Sequence, residues 1–402
     1  MPWRVSHQVK ERMHFVARLE KAERMTDLCL EFGISRKTGH KIWARYQDQG
    51  LAGLEDQSRA PKRIAHRTDA ATQAAVVEVR RAHGTWGGRK VGDWLRANQP
   101  EVRWPAPSTI NDILKRHGLV EPGGQRRRKP GPAGRGGLRT AGLPNDVWCT
   151  DYKGQFRLGN REYCYPLTTS DLLSRFLVTL ESLDGTDEEQ ARSVFQEAFR
   201  KYGMPLRMRS DNGSPFASQA LFGLTKLSAW WLRLGIAHER IAPGHPEQNG
   251  QHERMHRTLK AETTRPARHT SLQQQERFDE FREEYNNDRP HEALDGKTPN
   301  KLYSPSPRPY PEKLTDPTYP LHDDTLKVGR SGHIRLFRGR STFLTAALAG
   351  QLVGLREQDD GLWLVTFVQT DLGTYNPSSG SFCPSTVPNG LPSATHTGAT
   401  AL

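Results

Sequence analysis

Asp151 interrupts an apolar and aromatic run, Val147-Trp148-Cys149-Thr150-Asp151-Tyr152, that reads as part of a strand from Val147 to Leu158. A purely structural strand would exclude charge there. Asp211 follows the apolar run Pro205 to Met208 and opens Asp211-Asn212-Gly213, a turn signal that puts its carboxylate at a strand's C-terminal end. Catalytic groups gather at such ends in α/β sheets. Two glutamates compete for a third place: Glu247, with 35 residues between it and Asp211, and Glu253, with 41. Glu247 lies in Pro243-Gly244-His245-Pro246-Glu247, a loop by composition. Glu253 comes four residues after Asn249, a fair N-cap, so it falls in the first turn of a helix with its backbone fixed. A metal ligand must be held to fractions of an ångström, which a helix does better than a loop, and Glu253 is therefore the third acid. Three carboxylates on one spot repel one another unless cations lie between them, and hard oxygen donors select Mg²⁺ or Mn²⁺. Two such ions roughly 3.5 to 4 Å apart would activate an attacking oxygen and steady the leaving oxygen of an in-line phosphodiester displacement.

The segments Trp148-x-x-Asp151, Asp211-Asn212-Gly213 and Pro246-x-x-Asn249-Gly250-x-x-Glu253-Arg254 resemble the DDE catalytic core shared by retroviral integrases and bacterial insertion-sequence transposases. The resemblance implies a ribonuclease-H-like fold, with water as nucleophile in end cleavage and a DNA 3′-hydroxyl in strand transfer. Many relatives separate the last two acids by 35 residues. The Asn-Gly-x-x-Glu context nevertheless selects Glu253, and the six extra residues are placed in a helix from Ala217 to Leu234. On the Glu253 helix, Arg257 and Lys260 lie at i+4 and i+7, one face, and are expected to hold DNA phosphates beside the acids.

The elements that must position these acids are three strands (Val147 to Leu158, Tyr163 to Thr169, Arg175 to Glu181), a helix (Thr186 to Lys201), the Asp211 strand, a second helix, a short strand (Ile236 to Ile241) and the Glu253 helix. That order matches the ribonuclease-H-like core. Asp171, in Asp171-Leu172-Leu173-Ser174-Arg175, is read as a structural turn residue. A further helix, Leu272 to Tyr285, leads into Tyr285-Asn286-Asn287-Asp288-Arg289-Pro290-His291, which resembles the signature closing integrase cores of bacterial elements.

Ahead of the core, Gln8 to Glu23, Thr26 to Phe32 and a helix begun by Ser35 form a helix-turn-helix around Gly33. Arg36, Lys37, His40 and Lys41 are its expected DNA contacts, with Ile34, Ile42 and Trp43 as core. Helices over Ala70 to His83, Arg89 to Ala97 and Ser108 to His117, the last capped by Ser108, form a second, winged module whose Asn111, Lys115 and Arg116 would reach DNA. Arg126, Arg127 and Arg128 lie in a Gly/Pro/Arg-rich linker that either follows a minor groove or simply joins domains. Residues 1 to 145 hold 28 Lys+Arg against 14 Asp+Glu, while the rest of the chain holds 30 against 31. The whole net charge of +13 therefore resides in the N-terminal third, as expected of a duplex-binding part.

Beyond the core, Ser304 to Pro320 reads as a stiff Pro-rich spacer. Five short alternating segments between Thr325 and Val368 suggest a small SH3-like β-barrel, and residues 371–402 read as disordered. The expected domains are 1–60 and 66–120 (helix-turn-helix modules), 121–143 (basic linker), 144–303 (α/β catalytic core), 304–320 (spacer) and 321–370 (barrel). Four scattered cysteines offer neither a disulfide framework nor a zinc module, a departure from the His-His-Cys-Cys module of retroviral integrases. No stretch has transmembrane length and no signal peptide is evident, so a cytoplasmic, nucleoid-associated protein is expected. The sequence thus reads as an insertion-sequence transposase that binds its element's terminal inverted repeats and acts with two Mg²⁺ or Mn²⁺ ions as a homo-oligomer on DNA. The rivals are a transposase-derived DNA-binding regulator with an inactive core, and a structure-selective ribonuclease-H-like nuclease.

Overall fold

The computed structural model describes residues 8–57, 68–120, 138–218, 223–242, 245–336, 341–358 and 361–385. The chain divides into two compact units, Met1–Thr68 and Asp69–Leu402. Among the described residues no helix is long and apolar enough to cross a membrane.

The first unit holds α1 (Gln8–Glu20), α2 (Met25–Glu31) and α3 (Arg36–Gln49) around Phe15, Leu28, Ile34 and Ile42. Gly33, with φ 61°, makes the turn between α2 and α3. Ser35 caps α3 by accepting from the Thr38 N–H at 3.2 Å. Gly39 lets the two helices close up, since a Cβ there would lie 2.5 Å from Cys29 Sγ.

The second unit begins with α4 (Ala70–Ala82), α5 (Gly88–Asn98) and α6 (Pro107–Arg116), packed on Val76, Trp86, Leu95 and Ile110. The expected wing is not there: the described residues of this module contain no strand. Nor does Ser108 cap α6, which starts one residue earlier because Pro107 suits the first helical position, where no N–H is needed.

The core sheet has the order β4-β3-β1-β5-β6, from β1 (Val147–Tyr152), β3 (Tyr163–Asp171), β4 (Leu177–Leu183), β5 (Arg207–Ser210) and β6 (Ala237–Arg240). The two-residue β2 (Phe156–Arg157) pairs with the start of β3. β3 runs antiparallel to β1 and β4, whereas β5 runs parallel to β1 and β6. One face packs Trp148, Leu167 and Met208 against α7 (Glu188–Tyr202) and α8 (Lys226–Arg233). The other packs Leu177 and Leu180 against α9 (Gly250–Thr263) and α10 (Ser271–Asn287). This is the expected ribonuclease-H-like arrangement of a central sheet between helices. The long helix expected from Ala217 is not formed, however, and α8 begins only at Lys226, behind a Thr225–Ser228 capping box.

The Pro-rich segment is a strap rather than a spacer. Tyr303 stacks on Phe176 at 4.1 Å, Met204 N–H donates to Arg308 O, Ser306 N–H donates to Tyr202 O, and the Arg308 guanidinium donates to Leu234 O and Gly235 O. A polyproline-like backbone has no internal hydrogen bonds, so its polar groups are available to a neighbouring surface.

The C-terminal part is an open antiparallel sheet, not a closed barrel. β7 (Asp324–Lys327), β10 (Leu352–Glu357), β11 (Trp363–Phe367), β12 (Thr370–Asn376) and β13 (Ser381–Pro384) follow the order β13-β12-β11-β10-β7, and β8 (His333–Arg335) pairs only with β9 (Ser341–Phe343). Its apolar side is covered by the hairpin and by Leu224, Ala229 and Leu232 at α8, so closure on itself is not required. Residues 371–385 are correspondingly not disordered: Leu372 and Tyr375 are buried in this sheet.

Candidate active site

The parallel register of β1 and β5 pairs Val147 with Arg207 and Cys149 with Arg209. Both strands run on toward the two acids, Asp151 two residues beyond Cys149 and Asp211 two beyond Arg209, and the charge of Asp211 is felt at the Asp151 carboxyl. Asp211 is held at the strand end by its own turn: Gly213 N–H donates to Asp211 Oδ1 at 3.1 Å and Asn212 Nδ2 to Ile241 O at 2.8 Å. Glu253 lies exposed in the first turn of α9, and Asn249 occupies the cap position without a side-chain capping bond.

α9 is fastened over Asp151 by a hydroxyl and two imidazoles. Thr168, paired with Asp151 across β3, donates to Asp151 O at 2.9 Å, while His252 Nε2 and His256 Nε2 lie 2.6 and 2.7 Å from the same hydroxyl. A hydroxyl already donating can only accept from both rings, so both Nε2 atoms carry the proton. His252 Nδ1 is then the acceptor for Ser170 Oγ at 3.0 Å. Burial holds both rings in the neutral form, taking His252 down to about 3 and His256 lower still, the latter helped by His252 and Lys153. The 3.9 Å approach of His256 Nδ1 to Asp151 Oδ2 is therefore not an ion pair. A similar grip exists at Asp211, where Ser210 donates to Asp211 O at 2.9 Å and the half-buried His238, held neutral by desolvation, lies 2.8 Å behind it.

The Asp151 carboxyl is pushed up to about 7, first by burial, then by the charge of Asp211 and, more weakly, by that of Glu253. A carboxyl whose proton affinity is raised by two neighbouring carboxylates belongs to a set of hard-oxygen donors that fits a divalent cation in chemistry. As placed they do not form a closed cage: among the described residues no three His, Cys, Asp or Glu side chains are drawn together tightly enough to hold a metal ion. Asp171 does not take part, since its carboxylate accepts from the N–H groups of Asn145 and Ser174 and from Ser174 Oγ.

Residues 142–246 and 234–299 match integrase core domain families, residues 11–62 a helix-turn-helix domain and residues 38–114 a homeodomain-like domain. The insertion element IS476 uncharacterized 39.2 kDa protein of Xanthomonas euvesicatoria is 27% identical over 249 residues, 60% of this chain and 67% of that one. The IS407 uncharacterized 31.7 kDa protein of Burkholderia multivorans is 28% identical over 167 residues, 41% of this chain and 57% of its own. The chain carries an integrase core and helix-turn-helix domains, and is similar over that core to proteins of bacterial insertion elements. The Gag-Pol polyprotein of baboon endogenous virus is 31% identical over 137 residues, 34% of this chain but only 8% of the polyprotein. The magnesium-bound catalytic core of HTLV-2 integrase, 18% identical, aligns with 40% of the chain at a TM-score of 0.33.

Arg36, Lys37, His40 and Lys41 are all exposed along the first half of α3. Lys115 and Arg116 are exposed at the end of α6, Lys115 Nζ lying 3.7 Å from Asp112 and Arg116 Nε donating to Asp112 O. Asn111 is committed elsewhere, its Oδ1 accepting from Gly88 N–H at 2.9 Å, which ties α6 to the start of α5. Arg126, Arg127 and Arg128 lie outside the described residues, as does the Glu247 side chain. Arg257 and Lys260 are exposed on α9, and Lys260 stands near enough to Lys153 to lower that amine's proton affinity, second to burial. Lys153, His252, His256 and Thr168 were not singled out by sequence. The available signal was adjacency: Lys153 lies two residues from Asp151, and the two histidines flank Glu253 at −1 and +3 on its helix.

Proposed function

We propose that this protein is a transposase that cleaves and joins DNA strands at the terminal inverted repeats of its element, with Asp151, Asp211 and Glu253 as the metal-holding acids and two Mg²⁺ or Mn²⁺ ions as cofactor. The observation that carries the reading is the β1/β5 register beside Asp151, together with the rise of that carboxyl under the charges of Asp211 and Glu253. Bound ions would activate the attacking oxygen and stabilise the leaving one. The protein's own part is to aim the carboxylates: Thr168 and Ser210 fix the two aspartate backbones, and the neutral histidines behind them add no competing positive charge. Lys153, Lys260 and Arg257 would hold the phosphates on either side of the cut, and the exposed basic face of α3 would read the repeat. Two ends must be processed together, so the working form is a homo-oligomer on DNA. The intact trio speaks against a DNA-binding regulator with a silent core.

The test is cleavage of a duplex bearing the repeat. Asp151→Asn, Asp211→Asn and Glu253→Gln should each lower Mg²⁺-dependent nicking and joining by at least about 10³-fold, the equivalent of losing several kcal/mol of metal stabilisation, with end binding nearly unchanged. Glu247→Gln should be mild. An inactive Glu247→Gln beside an active Glu253→Gln would overturn the assignment.

A further inference from the structure

The signature Tyr285-Asn286-Asn287-Asp288-Arg289-Pro290-His291 has no part in the chemistry above, yet it is tightly built. Asn286 pins α10 to β4, accepting from Leu177 N–H at 2.8 Å and donating to Leu177 O at 3.0 Å. Arg289, with only 3% of its side chain exposed, places Nη2 2.6 Å from both carboxylate oxygens of Glu262 and 3.3 Å from Glu284. Its guanidinium lies over the ring of Trp86, 5.8 Å from the centroid. Trp86 is fully buried and belongs to the α4–α6 module, where His83 stacks on it at 3.7 Å. The same module sends His83 to Glu284 at 3.3 Å and the Thr85 hydroxyl to Glu262. Lys90 is held down to about 8, by burial first and then by the Arg289 charge. Two carboxylates from the core thus meet the Arg289 guanidinium at the joint, and His83 and Thr85 of the module join them there. A buried pair of this kind is costly to break by removing one member, because the other is left uncompensated.

Both ends of this joint lead to function. Glu262 is on α9, nine residues after Glu253, so one rigid helix spans about 13 Å between them. On the module side, Asn111 ties α6 to Gly88, two residues from both Trp86 and Lys90.

We propose that Arg289 is a positioning residue that locks the α4–α6 module to the far end of α9, so that the distance from the DNA this module binds to the phosphodiester that is cut is set by this joint. The inference rests on the cleavage reading above. It assigns the signature a measuring role, and it makes Asn111 part of the frame rather than a base contact. Misplacing reacting groups by about 1 Å can cost 10²-fold in rate, so loosening the joint should disperse and weaken cleavage without touching the acids.

Two measurements on the full chain decide it. In the first, Arg289→Gln and the milder rim variant His83→Ala/Thr85→Ala are given Mg²⁺ and a duplex with the element's inverted repeat, and nicks are mapped to the nucleotide. Expected is repeat binding within about threefold of wild type, a yield at the wild-type position lowered about tenfold or more for Arg289→Gln and less for the rim variant, and nicks spread over neighbouring phosphodiesters. Mg²⁺-dependent nicking of plasmid lacking the repeat should stay within about twofold. Wild-type position and yield in both variants, or equal loss of specific and non-specific nicking, overturns the proposal. In the second, spin labels at Gln99→Cys and Glu276→Cys, in a Cys383→Ser background, report the module-to-core distance without any catalysis. A narrow distribution that broadens in Arg289→Gln supports the joint, and an unchanged one overturns it. A wild type that does not nick would sink the cleavage reading alone, since the spin-label distances would still decide the joint.

Discussion

Asp151→Asn should make the metal-free protein more stable at pH 8, although the proposed function makes that residue a metal ligand. The native carboxyl is pushed from an ordinary 3.8 to about 7, by burial first and then by Asp211 and Glu253. An acid whose folded value lies above its unfolded value binds more protons in the folded state between the two. Its penalty on folding is therefore absent below about pH 4, grows as pH rises, and is complete above about pH 7. Three units correspond to a ceiling of about 4 kcal/mol, and because the side chain keeps 22% exposure, screening brings the expected gain to about 1–2 kcal/mol. For the unit Asp69–Leu402, with an unfolding entropy of about 2.1 cal/mol/K per residue, that is a rise in Tm of about 1.5–3 °C. Thermal unfolding followed by circular dichroism in EDTA should show the variant melting above wild type at pH 8 and level with it near pH 4. Saturating Mg²⁺ should reverse the order at pH 8, because a ligand bound only by the folded wild type adds stability that the variant cannot gain. A variant melting at or below wild type at pH 8 in EDTA, or a gap that does not vary with pH, would refute the argument that burial and the neighbouring acids strain this carboxyl.

Thr168→Val leaves two imidazole N–H groups and the Asp151 carbonyl without their shared partner. It should destabilise by about 2–4 kcal/mol in chemical denaturation and raise the Mg²⁺ concentration needed for half-maximal nicking, with Thr168→Ser restoring most of both. Arg36→Ala with Lys41→Ala should weaken repeat binding and, if each side chain neutralises one phosphate, make the slope of log affinity against log salt shallower by about 1.8. Arg308→Ala, which frees the carbonyls of Leu234 and Gly235, should cost about 1–3 kcal/mol and expose the strap to limited proteolysis. An unchanged cleavage rate in that digest would contradict the strap.

The strand ends that carry Asp151 and Asp211 were legible because period-2 patterning and turn chemistry act locally: the acid in the run around Asp151 and the turn after Asp211 name them directly. The helix that starts at Gly250 and carries Glu253 was legible too, although Asn249 makes no side-chain capping bond there. What lay outside local pattern was read less well. The Pro-rich segment carries Tyr303, Ser306 and Arg308 to partners 70 or more residues away, which no local signal announces. The last strands are written largely in Ser, Thr and Gly, with Leu372, Tyr375 and Phe382 as their apolar anchors, so composition argued for disorder while the apolar sheet next door supplied the partner. Alternation indicated strands in residues 324–367 but is silent on whether a sheet closes or is capped by a helix such as α8. Asn111 looked like a contact because of its place on a basic helix, and only the 2.9 Å approach of Gly88 N–H reveals its use.

Crystals of the full chain grown with Mn²⁺ and a repeat duplex test the central claim most directly, through anomalous scattering. The account expects two peaks, roughly 3.5 to 4 Å apart, both within ligating distance of oxygens from Asp151, Asp211 and Glu253. Manganese bound away from these side chains, or peaks ligated by Glu247 with Glu253 turned away, would contradict it.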